Sequence, residues 1–179
     1  MNLEAAYAAA VATPSDINQH LPALRLLASM SPRVVELGVR GGVSTLALLA
    51  ARPQSYVGYD LVGPPRELAD FARSAGVQYI HKIQSTLDQS PEFAPECDLL
   101  FVDTLHQAEQ VRRELEIFAP RTRLFIAFHD TETFGVVGEG GGEGLLVGIN
   151  QYLAEHPDEW IEISRFPNNN GLLILARSR

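Results

Sequence analysis

Two aspartates carry the strongest chemical signal in the sequence. Asp103 closes the apolar run Asp98-Leu99-Leu100-Phe101-Val102-Asp103, and Asp130 follows the apolar run Leu124–Phe128 and His129. Both runs read as buried strands. As neighbours in one parallel sheet, about 5 Å apart, they set the two carboxylates side by side, where like charges repel unless a cation neutralises them. A divalent ion such as Mg²⁺, which takes oxygen ligands, meets that need. His129 adds a nitrogen suited to a transition ion such as Mn²⁺ or Fe²⁺. The candidate metal ligands are therefore Asp103, His129 and Asp130. His106, three residues beyond Asp103, titrates near neutral pH and can serve there as a base. The plainer alternative is a pair of solvated strand-end carboxylates, with His106 near the N-terminus of the next helix.

A second group of residues lies earlier in the chain. The strand Arg33–Leu37 runs into Gly38-Val39-Arg40-Gly41-Gly42, a turn in which glycine permits a sharp bend and close approach of a ligand. A dinucleotide fingerprint wants glycines at the first, third and sixth positions. Counted from Gly38, those positions hold Gly38, Arg40 and Val43, a poor match. Asp60 ends the next strand, 22 residues after Gly38, where a carboxylate can accept from both hydroxyls of a ribose or simply cap a helix.

The segment Glu36, Gly38, Gly42 resembles the first motif of class I S-adenosylmethionine-dependent methyltransferases, an acidic residue followed by Gly-x-x-x-Gly. The resemblance implies that this turn wraps the methionine part of the cofactor and that Glu36 serves its ammonium end, with Asp60 on the ribose. Gln84-Ser85-Thr86-Leu87-Asp88 is similar to a degraded form of the family's adenine loop, with Ser85 as the adenine neighbour. The pattern Asp103…His106…His129-Asp130 resembles small-molecule and sugar O-methyltransferases and the cephalosporin-hydroxylase-like group. There, metal ligands follow the fourth and fifth strands, and a general base stands where His106 does. His129 departs from the acidic residue usual at its position. The resemblance implies methyl transfer to a hydroxyl of a small polar acceptor, with Asp103 and His106 catalytic and Glu36, Gly38, Gly42, Asp60, Ser85 and Asp103 around S-adenosylmethionine. Rival readings are a methyltransferase-fold binding or regulatory protein without turnover, and a hydroxylase-related protein.

These residues need a scaffold, and the hydropathy pattern supplies one. Strands at 33–37, 55–60, 77–82, 98–103 and 123–128 alternate with helices, and strands near 160–166 and 172–176 are joined by the short Pro167–Gly171 connection. Continuous apolar strands with crossovers predict an α/β fold, a parallel sheet covered on both faces. The short last connection requires a hairpin, so one of seven strands runs antiparallel. The resemblance adds the three-layer, Rossmann-like strand order. Helices are expected at 3–12 and from an Asp16 N-cap to about residue 29, and the apolar faces of residues 1–31 suggest a homodimer. Residues 131–148 hold seven of the chain's fourteen glycines, read either as a lid over substrate or as a plain surface loop.

Composition bounds the rest. A chain of 179 residues with 46% apolar residues forms one domain with a real core. With 14 basic against 22 acidic side chains the net charge is −8, which disfavours a nucleic-acid partner. Cys97 is the single cysteine, excluding an intrachain disulfide and a multi-cysteine zinc site. No apolar run nears the roughly 20 residues of a membrane span, and the start lacks a basic leader, so a cytoplasmic protein is expected.

Overall fold

The computed structural model describes residues 2–178; Met1 and Arg179 lie outside it. Helix α1 (Leu3–Ala12) starts at Asn2, whose Oδ1 accepts from the Ala5 amide at 2.8 Å. A 3₁₀ turn, Asn18–His20, leads into α2 (Leu21–Ser29). Asp16 does not cap this helix; Pro22 stands in its first turn, where a missing N–H costs nothing. Then follow β1 (Arg33–Leu37), α3 (Val43–Ala50), β2 (Ser55–Asp60), α4 (Arg66–Ala75), β3 (Gln78–Ile83), β4 (Cys97–Val102), α5 (Ala108–Phe118), β5 (Thr122–His129), α6 (Leu145–Glu155), β6 (Trp160–Phe166) and β7 (Leu172–Arg177). The strands agree with the sequence reading. Between β3 and β4, however, the crossover is made by two 3₁₀ turns, Thr86–Asp88 and Pro91–Phe93, instead of a helix.

The seven strands form one sheet in the order β3-β2-β1-β4-β5-β7-β6, with β7 antiparallel to its neighbours β5 and β6. This is the three-layer Rossmann-like arrangement. One face of the sheet buries Val35, Leu37, Leu100, Val102, Ile126 and Phe128 under α5 and α6. The other buries Val34, Tyr56, Leu99, Phe101 and Ala127 under the helices α1 to α4. Ile17, Leu21, Leu24, Leu27 and Ala28 belong to this second core, so the apolar face that suggested dimerisation is covered by the chain itself. No helix among the described residues is long and apolar enough to cross a membrane.

Strand order reverses between β1 and β4, which pair directly. In open α/β sheets the crevice beyond the carboxyl ends of the strands at such a point takes the ligand.

Candidate active site

Gly38, Asp60 and Asp103, which follow or end β1, β2 and β4, line a cavity of about 350 Å³ in that crevice, with Ser85 and Thr86 beyond β3 and Thr104 and Gln110 further on. The walls are held by backbone bonds. The Gly38 amide donates to the Tyr59 carbonyl at 2.9 Å, and the Asp103 amide to the Leu37 carbonyl at 2.8 Å. The Asp60 carboxylate accepts from the amides of Val39 at 2.9 Å, Arg40 at 2.7 Å and Val62 at 3.1 Å. Burial opposes its charge, but these amides outweigh burial and hold it below the usual carboxylate range. Asp60 thus shapes the glycine turn as well as lining the cavity.

Glu36 and Gly42 stand elsewhere. Glu36 is 0% exposed and does not line the cavity. Its carboxylate accepts from Ser44, from Thr45 at 2.6 Å and from the Tyr56 hydroxyl. The expected contact with a cofactor ammonium is therefore replaced by an internal brace joining β1, the first turn of α3 and β2. Burial, partly offset by the three hydroxyls, pushes Glu36 up to about 7. Gly42, at φ 75°, faces the Leu68 side chain, where a Cβ would come within 2.6 Å; it seats α3 against α4.

At the rim of the cavity, beyond β4 and β5, four side chains converge. His106 Nε2 lies 2.9 Å from Asp130 Oδ2 and 3.6 Å from Asp103 Oδ1. His129 Nδ1 lies 3.5 Å from Asp103 Oδ1 and 3.4 Å from Asp130 Oδ2. These contacts pair charges at or near hydrogen-bonding distance but off the line of a well-made hydrogen bond, and His106 Nε2, His129 Nδ1 and Asp130 Oδ1 are buried without an aligned partner. The other nitrogen of each ring explains why. His129 Nε2 meets two carbonyls, of Asp16 and Asn169, each at 3.2 Å, and carbonyls only accept, so Nε2 carries the hydrogen. His106 Nδ1 lies 3.1 Å from Glu139 Oε2 and is fixed the same way. Both rings then aim their second nitrogens at two carboxylates. Burial opposes charge on these imidazoles, but Asp103 and Asp130 overcome it and push each up to about 10. Asp130 and Asp103 are correspondingly held below the usual range despite their burial.

Two carboxylates and a ring nitrogen converging in this way would suit a cation, which on binding would displace the proton that the imidazole shares with them. Ligand atoms of Asp103, His129 and Asp130 all lie within 4.8 Å of one another, and mixed carboxylate and imidazole donors fit a divalent transition ion. The carbonyls behind His129 would then act as its outer support. Asp130 adopts φ 60°, a left-handed conformation that aspartate tolerates better than most residues, and it turns the chain sharply just beyond β5.

Around this group the glycine-rich segment takes a defined path. Gly138 donates to Gly142 and Glu139 to the His106 carbonyl, each at 3.0 Å. The Phe134 ring stacks on His106 at 4.7 Å. On the far side, the Pro167–Gly171 turn clasps the N-terminal segment: Asn169 Oδ1 accepts from the Gln19 amide at 2.8 Å, and its Nδ2 donates to the Ser15 carbonyl at 2.7 Å.

Several contributors escape a reading of the sequence. Asn169 looks like any turn residue. His20, whose ring meets that of His129 edge-on at 5.6 Å, has no partner pattern. Glu114 had a usable signal: it lies on the apolar face of α5 with Val111, Leu115 and Phe118, a place for a charge only where hydrogen bonds await it. Burial pushes it up against three hydrogen bonds, from Thr86, Gln110 and Thr104.

Fold and site together define a methyltransferase architecture with an acidic, histidine-bearing rim. A family described as "Methyltransferase domain" matches residues 35–131, more than half of the chain. The chain belongs to that family. No curated protein matches it. Among solved structures it is similar to cofactor-bound Rv0187 from MTB, at 23% identity and TM-score 0.63, covering 99% of this chain and 90% of that one. It is similar also to the O-methyltransferase TomG from Streptomyces achromogenes in complex with SAM, at 19% identity and TM-score 0.62, covering 93% and 82%. A third is the O-methyltransferase from Bacillus cereus in complex with SAH, at 17% identity and TM-score 0.62, covering 98% and 90%. At these identities the likeness shows the fold.

Proposed function

We propose that this protein is an S-adenosylmethionine-dependent methyltransferase acting on a hydroxyl of a small polar acceptor, with a divalent cation held by Asp103, His129 and Asp130. The observation that carries the reading is the position of those residues and His106 at the edge of the Gly38–Asp60 cavity. The sulfonium of the donor supplies an electrophilic methyl group, and its positive charge is compatible with the carboxylates of Asp60 and Asp103 in the cavity wall. Asp60 has one oxygen with a single amide partner and offers it to the ribose hydroxyls, Ser85 lines the far end, and Gly38 lets the donor lie against backbone. A cation at the rim would orient the acceptor oxygen and lower its pKa. Such a cation would neutralise the carboxylates, and His106, relieved of their counter-charge, would be the residue to take the hydroxyl proton at Nε2. Glu139, through Nδ1, keeps that ring in place.

Support comes from the family membership, from the fold and from the likeness to structures bound to SAM or SAH. Calorimetric titration with S-adenosylmethionine tests the first step: binding in the micromolar range is expected, and no heat at millimolar ligand removes the reading. A methylation assay over hydroxylated acceptors with Mn²⁺ or Mg²⁺ tests the second. Product formed equally well after exhaustive chelation would remove the cation.

A further inference from the structure

Three residues in one wall of the cavity are tied to one buried carboxylate behind it. Thr86, following β3, donates to Glu114 Oε1 at 2.6 Å; Thr104, following β4, donates to Glu114 Oε2 at 2.9 Å; Gln110, on α5, donates through Nε2 to Oε1 at 2.7 Å. Thr86, Thr104 and Gln110 line the cavity, whereas Glu114 is 0% exposed. A carboxylate only accepts, so its three neighbours must all turn donors toward it. The Thr86 hydroxyl has spent its hydrogen on Glu114 and also accepts from Gln110 Nε2, at 3.2 Å. The Gln110 amide nitrogen is thereby held toward Glu114 and Thr86, which fixes the orientation of the amide and turns its carbonyl Oε1 away from them.

We propose that Gln110 is a specificity-determining residue that reads the amino group of the donor's purine, and that Glu114 is the positioning residue that makes it an acceptor. The inference rests on the donor reading above. With the reactive group beside Asp103 and the ribose at Asp60, the base falls to the remaining end of the cavity, bounded by Leu61, Ser85, Thr86 and Gln110. A 6-amino purine donates a hydrogen there. A 6-oxo purine presents a second acceptor to Oε1 and leaves it unpaired, which costs about tenfold in affinity.

The test compares S-adenosylhomocysteine with S-inosylhomocysteine by calorimetry on the whole chain. Wild type is expected to prefer the adenosyl ligand about tenfold. Gln110→Leu, on the half-buried side of α5, is expected to bring the ratio close to one. Glu114→Gln, which allows the Gln110 amide to turn over, is expected to bring it to one or invert it. A merely structural Glu114 would weaken both ligands together and leave the ratio unchanged, and that result overturns the inference. Should Glu114→Gln fail to fold, the ratio in Gln110→Leu decides alone. A wild type that binds both ligands equally sinks this inference while sparing the donor reading; a wild type that binds neither sinks both.

Discussion

The backbone of Gly38 rests directly against the carbonyl of Asp103. A Cβ built on Gly38 would stand 1.9 Å from that oxygen, and the residue's φ of 86° lies in the left-handed region that other residues avoid. The contact locks the end of β1 to the end of β4 across the point where strand order reverses, so the floor of the cavity and the position of Asp103 are one structural fact. Gly38→Ala is expected to destabilise the protein by about 3 kcal/mol, combining overlap with left-handed strain, and to weaken donor binding. Urea unfolding measures the first and calorimetry the second. An alanine variant of wild-type stability would show that the two strand ends are not so constrained.

Glu36 makes stability depend on pH in a definite direction. Its carboxyl is pushed up to about 7 in the folded chain, against an ordinary value near 4.3 when unfolded. The folded state therefore binds the extra proton between these values, and the stability it brings is present below about pH 4.3 and is lost as pH rises through about 7. The difference in unfolding free energy between wild type and Glu36→Gln should fall by roughly 2–3 kcal/mol from pH 5 to pH 8. Taking the difference cancels other titrating groups. A flat difference across that range would place an ordinary, already ionised carboxylate at this position.

The outer support of His129 predicts a graded loss of cation affinity. His129→Ala removes a proposed ligand and should abolish Mn²⁺ binding measurable by calorimetry or electron paramagnetic resonance. Asn169→Ala leaves every proposed ligand in place but releases the turn from Ser15 and Gln19, whose segment supplies one of the carbonyls on His129 Nε2. Removal of such outer partners costs about 10- to 100-fold in metal affinity. Unchanged affinity in Asn169→Ala would mean that the clasp serves only the fold.

How much of this was legible in the sequence varies by element, for physical reasons. The strands were readable because buried parallel strands are runs of apolar residues, β4 most clearly, and Asp103 and Asp130 stood out as charges at their ends. Their convergence with His106 and His129 followed from strand adjacency, which the βα alternation implies. Glu36 shows where the motif misleads: it sits in a strand whose alternation turns it toward α3 and away from the crevice, and the hydroxyls of Ser44, Thr45 and Tyr56 that hold it come from other elements. The crossover from β3 to β4 carries Pro91 and Pro95, which disrupt a helix, so two 3₁₀ turns replace one. Asn169 and Asp16 reach His129 through contacts distant in sequence and mediated by backbone carbonyls, for which side-chain type leaves no trace.

The role given to His106 separates chemistry from binding. Its ring stacks on Phe134 and is tied through Nδ1 to Glu139, so His106→Gln keeps a polar side chain of similar length there while losing the nitrogen that accepts a proton. His106 does not line the donor cavity, and affinity for S-adenosylhomocysteine should stay within about twofold of wild type. General bases contribute about 10²- to 10⁴-fold, so with an accepted substrate the single-turnover rate of methyl transfer should fall by that factor with KM for the donor unchanged. Glu139→Ala, which frees the ring without removing it, should cost less, about tenfold for one charge-assisted hydrogen bond. Equal losses in both variants would make orientation of the ring the whole of its contribution, and a rate unaffected by His106→Gln would move the base elsewhere on the rim.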